Sequence, residues 1–143
     1  MLCPALLLLF VSFTYTDDVY RFHHFSDEFE FHSIKLSWFD ANTYCQIRFG
    51  HLVTVENAST QDLLWTVFLN RPEVIYEDYW IGLHKAQSGP WRWTGDQIFI
   101  YNNWFYRPKQ VSNSPLCAKM IAVERLGWTH SDCIERNGFI CQY

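Results

Sequence analysis

The spacing of apolar side chains predicts two helices. Apolar residues recur at helical intervals over residues 37–49 and again over residues 59–69, which is typical of helices with one buried face. Ser37 and Ser59 begin these segments and are suitable N-caps. We expect Gly50 to end the first helix as its C-terminal cap.

A continuous apolar run at residues 79–83 predicts a strand that is buried on both faces. Gly82 lies inside this run, where a glycine indicates a close backbone approach. Trp91 and Trp93 follow a short polar loop and share one face of the next strand. Together with Trp80, they are expected to form a single core nucleus.

Two weaker patterns predict further strands. Residues 17–31 alternate loosely between aromatic and polar side chains, and residues 52–55 are mostly β-branched. His23, His24 and His32 lie in or near the first segment. Adjacent strand residues point to opposite faces, so solvent exposure or packing is favoured over metal binding for these histidines.

The composition is that of one soluble domain. The chain has 143 residues, of which 49% are hydrophobic and 19% aromatic, and these are enough for one packed core. The formal net charge is −4 and no basic cluster is present, so a nucleic-acid partner is not expected.

The first residues have the character of a signal peptide. An apolar block at residues 1–11 is too short to span a bilayer, and small side chains near Thr14 and Thr16 suit cleavage. We therefore expect a signal peptide over residues 1–16 and a secreted, extracellular domain over residues 17–143. No Lys or Arg precedes the apolar block, which is less typical of a signal peptide. A retained signal anchor is the competing interpretation.

The cysteine count agrees with secretion. The chain has five cysteines, and Cys3 lies in the segment that cleavage would remove. An even set in an oxidising compartment predicts two disulfides. A zinc site is the alternative, but no pair has the short spacing of zinc ligands. The four remaining cysteines are Cys45, Cys117, Cys133 and Cys141.

Several motifs follow one another along the chain in a familiar order. They are Trp80-Ile81-Gly82-Leu83, WRWTGD at residues 91–96, YNNW at residues 101–104, and Gly138-Phe139-Ile140-Cys141. This series resembles the "WIGL" strand, the "W-x-W-x-D-G … NW" stretch and the closing strand of C-type lectin-like domains. The similarity covers nearly everything after the signal peptide.

The resemblance implies an α+β fold of the C-type lectin-like kind, with two helices packed on small antiparallel sheets, a long loop region and two disulfides. The implied pairs are Cys45–Cys141 and Cys117–Cys133. In that fold the ends of the chain pair beside each other, and the long loop region carries any ligand site.

In the sugar-binding members of this family, five oxygen-bearing side chains hold a calcium ion. Ca²⁺ takes six to eight oxygen ligands, and a nearby cation repels it by a few kcal/mol at an effective dielectric of about 20. Here the family's ligand positions read Arg107-Pro108-Lys109, Pro115 and Trp128-Thr129-His130. We therefore expect neither metal nor cofactor. We also expect a cis peptide at Pro108 that holds the loop shape.

The same loop combines aromatic side chains with positive charge, and these residue types are enriched at interface hot spots. His130 is expected to add charge as the pH falls towards about 6.5. The alternative interpretation is that Trp104 belongs to the core and that the charged side chains of the loop are only solvated. The candidate ligand-binding residues are Trp104, Phe105, Tyr106, Arg107, Lys109, Gln110 and His130.

These residues support three functional hypotheses. The leading hypothesis is a calcium-independent binding module for an extracellular protein, lipid or glycan ligand, with an anionic partner favoured. The alternative is a carbohydrate-binding lectin with a non-standard site. An enzyme is disfavoured, because His130, Ser131 and Asp132 lie close in sequence but no nucleophile motif is present.

Asn57-Ala58-Ser59 is an acceptor sequon for N-glycosylation. It lies at the entry to the second helix, where we expect it to be exposed, and an unused sequon is the alternative. A homodimer also stays open, although the mature chain has no spare cysteine to link one.

Overall fold

The computed structural model describes residues 19–71, 78–108, 113–122 and 125–143. The predicted signal peptide lies outside the described residues. The described elements, in chain order, are β1 (Val19–His24), β2 (Asp27–Leu36), α1 (Trp38–Ile47), β3 (His51–Leu52), α2 (Ala58–Asn70), β4 (Tyr79–Lys85), β5 (Arg92–Trp93), β6 (Leu116–Met120), β7 (Trp128–Asp132) and β8 (Asn137–Gln142).

The strands form one branched sheet in the order β1-β2-β8-β4-β6-β7, with β3 on β8 and β5 on β4. Every pair is antiparallel except β4 with β8, which is parallel. The predicted α+β fold is confirmed, with its strands joined in one mixed sheet rather than in small antiparallel ones. The final strand lies beside β2, so the ends of the domain are neighbours, as the resemblance implied.

Helix α1 begins where the sequence predicts, because the Ser37 hydroxyl accepts the backbone N–H of Asp40 at 3.2 Å. Its C-terminal end differs from the prediction. Phe49, not Gly50, adopts the left-handed conformation (φ 68°), and the Gly50 N–H donates to the Cys45 carbonyl at 2.9 Å. A Cβ at Gly50 would lie 2.6 Å from the Gln142 carbonyl oxygen, so the glycine permits contact with β8.

Helix α2 begins two residues earlier than predicted. Asn57, not Ser59, is the N-cap, and its Oδ1 accepts the backbone N–H of Thr60 at 2.9 Å and the Thr60 hydroxyl at 3.2 Å. Asparagine and serine are comparable N-caps, so a choice between two such residues in one segment cannot be made from propensity.

Strand β4 separates two apolar clusters, because its side chains alternate between faces. Trp80 packs with Trp38 and Cys45, whereas Trp93 packs on the other side with Trp128. The expected single nucleus of three tryptophans is therefore wrong, and Trp91 is only half-buried.

The close backbone approach predicted at Gly82 is confirmed. A Cβ there would lie 2.8 Å from the Leu52 carbonyl oxygen and 2.9 Å from Thr94 Oγ1. Loop segments on either side of the strand therefore bind directly to the β4 backbone, with the Gly82 N–H donating to the Val53 carbonyl at 2.8 Å.

Both predicted disulfides are present. Cys45–Cys141 joins α1 to β8 with a Cα–Cα distance of 5.5 Å, and Cys117–Cys133 joins β6 to the turn after β7 with a distance of 5.1 Å. No helix in the described part of the chain is both long and apolar enough to cross a bilayer.

The three histidines near the N-terminus differ in burial. His23 and His24 are exposed, whereas His32 is buried and stacks on Phe139 with ring centroids 4.6 Å apart. Within residues 19–71, 78–108, 113–122 and 125–143, no three His, Cys, Asp or Glu side chains are grouped in a way that could hold a metal ion.

Candidate functional site

Trp128 is the point at which the long loop is attached to the sheet. Its side chain is fully buried, and its backbone N–H donates to the Asn103 carbonyl at 2.9 Å. The Trp128 carbonyl in turn accepts the N–H of Phe105 at 2.8 Å and that of Tyr106 at 3.4 Å. Residues 103–106 therefore run along the start of β7 and are held there by backbone hydrogen bonds.

Gln61 of helix α2 supports this attachment from inside the core. Its amide is buried, with Oε1 accepting the Trp128 indole N–H at 3.0 Å. Its Nε2 donates to the carbonyls of Arg125 at 2.7 Å and Leu126 at 3.2 Å. The sequence reasoning missed this residue, although its position one turn before the buried Leu64 is the available signal.

Trp104 lies between the core and the surface. Its half-buried ring packs on Trp91 at 5.0 Å, on Trp128 at 5.8 Å and on Phe99 at 6.3 Å between centroids. The ring therefore belongs to the core periphery, and part of it faces solvent.

The next three residues face outwards. Phe105 and Tyr106 are 38% and 61% exposed, with their rings perpendicular at 4.6 Å, and Arg107 is also exposed. Gly127 fits beneath them, because a Cβ there would lie 2.6 Å from the Cβ of Phe105.

The rest of the predicted loop site is described only in part. The peptide bond before Pro108 is trans, so the expected cis bond is wrong. Lys109 and Gln110 lie outside the described residues.

His130 lies on β7 opposite Ala118, with its ring 6.5 Å from that of Trp91. Partial burial lowers the pKa of the His130 imidazole below its usual value. It therefore gains positive charge only at a more acidic pH than the sequence suggested.

Of the three residues considered for catalysis, Ser131 points to the opposite face of β7 from His130 and Asp132. His130, Ser131 and Asp132 are consecutive on β7, so neighbouring side chains point to opposite faces. The Asp132 carboxylate accepts the backbone N–H of Ile134 at 3.1 Å, which is a turn contact.

A pocket of ≈ 360 Å³ lies beside the aromatic residues that support Trp104. Trp91 and Phe99 form part of its apolar wall. Its polar lining includes Arg92 and Asp96, with Arg92 Nη1 3.9 Å from Asp96 Oδ1. No local pattern in the sequence predicts this pocket. Its full lining is Pro90, Trp91, Arg92, Asp96, Gln97, Ile98 and Phe99.

Comparison with known proteins identifies the family. Residues 34–143 match the family model of the lectin C-type domain. The chain belongs to this family. Rat regenerating islet-derived protein 3-gamma is 30% identical over 118 residues, which cover 78% of this chain and 67% of the relative.

Solved structures agree with this assignment. Human lithostathine superimposes with a TM-score of 0.75 at 21% identity, covering 86% of this chain and 87% of the other. Ovocleidin-17 from the Gallus gallus eggshell has a TM-score of 0.72 at 27% identity, covering 85% and 94% of the two chains. The C-type lectin-like fold is therefore established for this member of the family.

Proposed function

We propose that the mature chain is a secreted binding module, not an enzyme, that recognises an extracellular ligand through residues 104–109 without calcium. The observation that carries this proposal is the attachment of Phe105 and Tyr106 to the Trp128 carbonyl while their side chains stay exposed. Aromatic groups held by the backbone lose little conformational entropy when they bind, which favours their use in recognition.

Calcium independence rests on the ligand positions of the family. Arg107 and Lys109 supply cations where the sugar-binding members have oxygen ligands, and Pro115 replaces a carboxylate. Arg107 and Pro115 are both exposed, so both lie on the surface of the loop. The same positive groups favour an anionic partner.

Millimolar calcium is expected to leave the melting temperature of the protein nearly unchanged. A ligand present at a hundred times its dissociation constant stabilises by about 2.7 kcal/mol, which would raise the melting temperature by several degrees. Differential scanning calorimetry with calcium and with a chelator measures the difference. A rise of several degrees that the chelator abolishes would contradict the proposal.

Replacing Arg107 and Lys109 together by Glu is expected to remove most of the ligand affinity. The probe is an array of glycans and extracellular protein domains, each tested with and without calcium. The matched control reverses Lys35 and Arg136, which are exposed cations elsewhere in the domain, and this control should bind like wild type. Binding should also weaken with salt, because exposed charges are screened beyond about 8 Å at physiological ionic strength. If the Arg107 and Lys109 variant has the same affinity and the same salt dependence as the Lys35 and Arg136 control, the loop is not the site.

A carbohydrate ligand is the second candidate function. Family membership and the exposed ring of Tyr106 favour it, because the apolar face of a sugar can stack on an aromatic ring. On the same array, calcium-independent binding to glycans alone would select this alternative.

Secretion and glycosylation can be tested at the sequon. Asn57 is exposed, and a glycan attached to Nδ2 leaves Oδ1 free to cap α2. We expect Ser59→Ala to remove the glycan without affecting the cap. Asn57→Gln should remove both, and should lower the free energy of unfolding by about 1 kcal/mol more. The readouts are the mass of the protein recovered from mammalian culture medium and thermal unfolding. An unglycosylated wild-type chain would contradict the proposed use of the sequon.

A further inference from the structure

Residues 98–102 have the side-chain pattern of a strand. Phe99 and Tyr101 face the core, with ring centroids 6.3 Å from Trp93 and 5.9 Å from Trp128 respectively. Ile98 and Ile100 point the other way and are 80% and 81% exposed. This alternation is the period-two pattern of a strand with one buried face.

The backbone of this segment has no strand partner among the described residues. None of residues 98–102 belongs to the sheet, and none donates or accepts a backbone–backbone hydrogen bond to another described residue. The segment is nevertheless rich in β-branched and aromatic side chains, which favour strand pairing. A row of unpaired peptide groups beside exposed apolar side chains is a template for an added strand.

We propose that residues 98–102 are a docking edge for an extended segment of a protein partner. The partner strand pairs with backbone groups of residues 98–102 that have no partner among the described residues. It sets aliphatic side chains against Ile98 and Ile100, and places one large apolar side chain in the adjacent pocket of ≈ 360 Å³. A pocket of this size is at the lower end of the range of about 300–1,000 Å³ that is typical of ligand sites.

The pocket distinguishes such a partner from a second copy of this chain. Antiparallel self-pairing centred on Phe99 sets Ile98 opposite Ile100, which is favourable, and sets Gln97 opposite Tyr101. The Tyr101 ring packs on Trp128 in the core, so it cannot fill the pocket that Gln97 lines. A segment of a different protein can carry any side chain opposite Gln97, including one that fills the pocket.

The charges around the pocket define the chemistry of the incoming side chain. Arg92 and Asp96 form an ion pair with no net charge, so a neutral apolar side chain fits better than a charged one. Since no residue of the loop at 104–109 is involved, the docking edge and the proposed ligand site can fail independently.

Selection of a random heptapeptide library, displayed on phage, against the full mature chain tests the proposal. We expect the enriched peptides to carry β-branched residues at alternate positions and one aromatic residue. Ile98→Lys with Ile100→Lys should weaken their binding at least about tenfold, because both aliphatic contacts with the peptide are replaced by charged side chains. The matched control, Ile47→Lys with Ile134→Lys, alters isoleucines that are 73% and 74% exposed elsewhere and should bind like wild type.

Two further measurements separate strand addition from simple apolar contact. Binding should slow the hydrogen exchange of the amides in residues 98–102, and N-methylation of the peptide bonds facing them should abolish binding. The proposal is overturned if no such peptides are enriched, if the two pairs of Lys variants bind alike, or if exchange at these amides is unchanged. A dimer seen by sedimentation that only the Ile98→Lys, Ile100→Lys variant dissociates would assign the edge to a second copy instead.

Discussion

Removing the Cys45–Cys141 disulfide is expected to lower the free energy of unfolding by about 4.7 kcal/mol, against about 3 kcal/mol for Cys117–Cys133. The reason is the length of chain that each bond closes, which is 96 residues for the first and 16 for the second. The longer loop restricts the unfolded chain more strongly. The same bond also ties α1 to the central strand β8.

Paired alanine variants of each disulfide, unfolded by urea at equilibrium, measure this difference. A domain of this kind has a total stability of about 5–15 kcal/mol, so loss of the Cys45–Cys141 bond should remove from about a third to nearly all of it. The Cys117–Cys133 variant should still unfold cooperatively. Equal losses for the two variants would show that loop length does not control the effect.

Replacing Gln61 by Leu is expected to lower the free energy of unfolding by about 2–4 kcal/mol, since unsatisfied buried polar groups cost about 1–3 kcal/mol each. The variant leaves the Trp128 indole N–H without its acceptor and takes a donor from the carbonyls of Arg125 and Leu126. It should also loosen residues 103–106, because their hydrogen bonds depend on the position of Trp128.

A double-mutant cycle with Trp128→Phe isolates the amide–indole contact. Phenylalanine has no N–H to leave unsatisfied, so the combined variant should lose less stability than the sum of the single changes. Gln46→Leu on the exposed face of α1 is the control for the change in side-chain chemistry and should have little effect. If the losses of stability in the cycle are additive, the hydrogen bond between Gln61 and the Trp128 indole contributes little, despite its length of 3.0 Å.

The candidate site was predictable only in its outline. Arg107 and Tyr106 were indicated by the family resemblance together with residue type, and both are exposed. The support beneath them was not predictable, because Gln61 and Trp128 are 67 residues apart in sequence. Such a contact has no local pattern, and its energy appears only when the two elements pack together.

Local chemistry in the chain was sufficient for several features of this domain. Helical periodicity located α1 and α2, the apolar run located β4, and the even number of cysteines after residue 16 indicated two disulfides. Each of these depends on neighbours in the sequence or on simple counting. The cap of α2, the separation of Trp80 from Trp93, and the position of residues 98–102 outside the sheet that the described strands form depend instead on packing between distant segments. Local preferences at those positions differ by about 1 kcal/mol or less, whereas burial of one large side chain contributes about 1.5–3 kcal/mol, so tertiary contacts decide the outcome there.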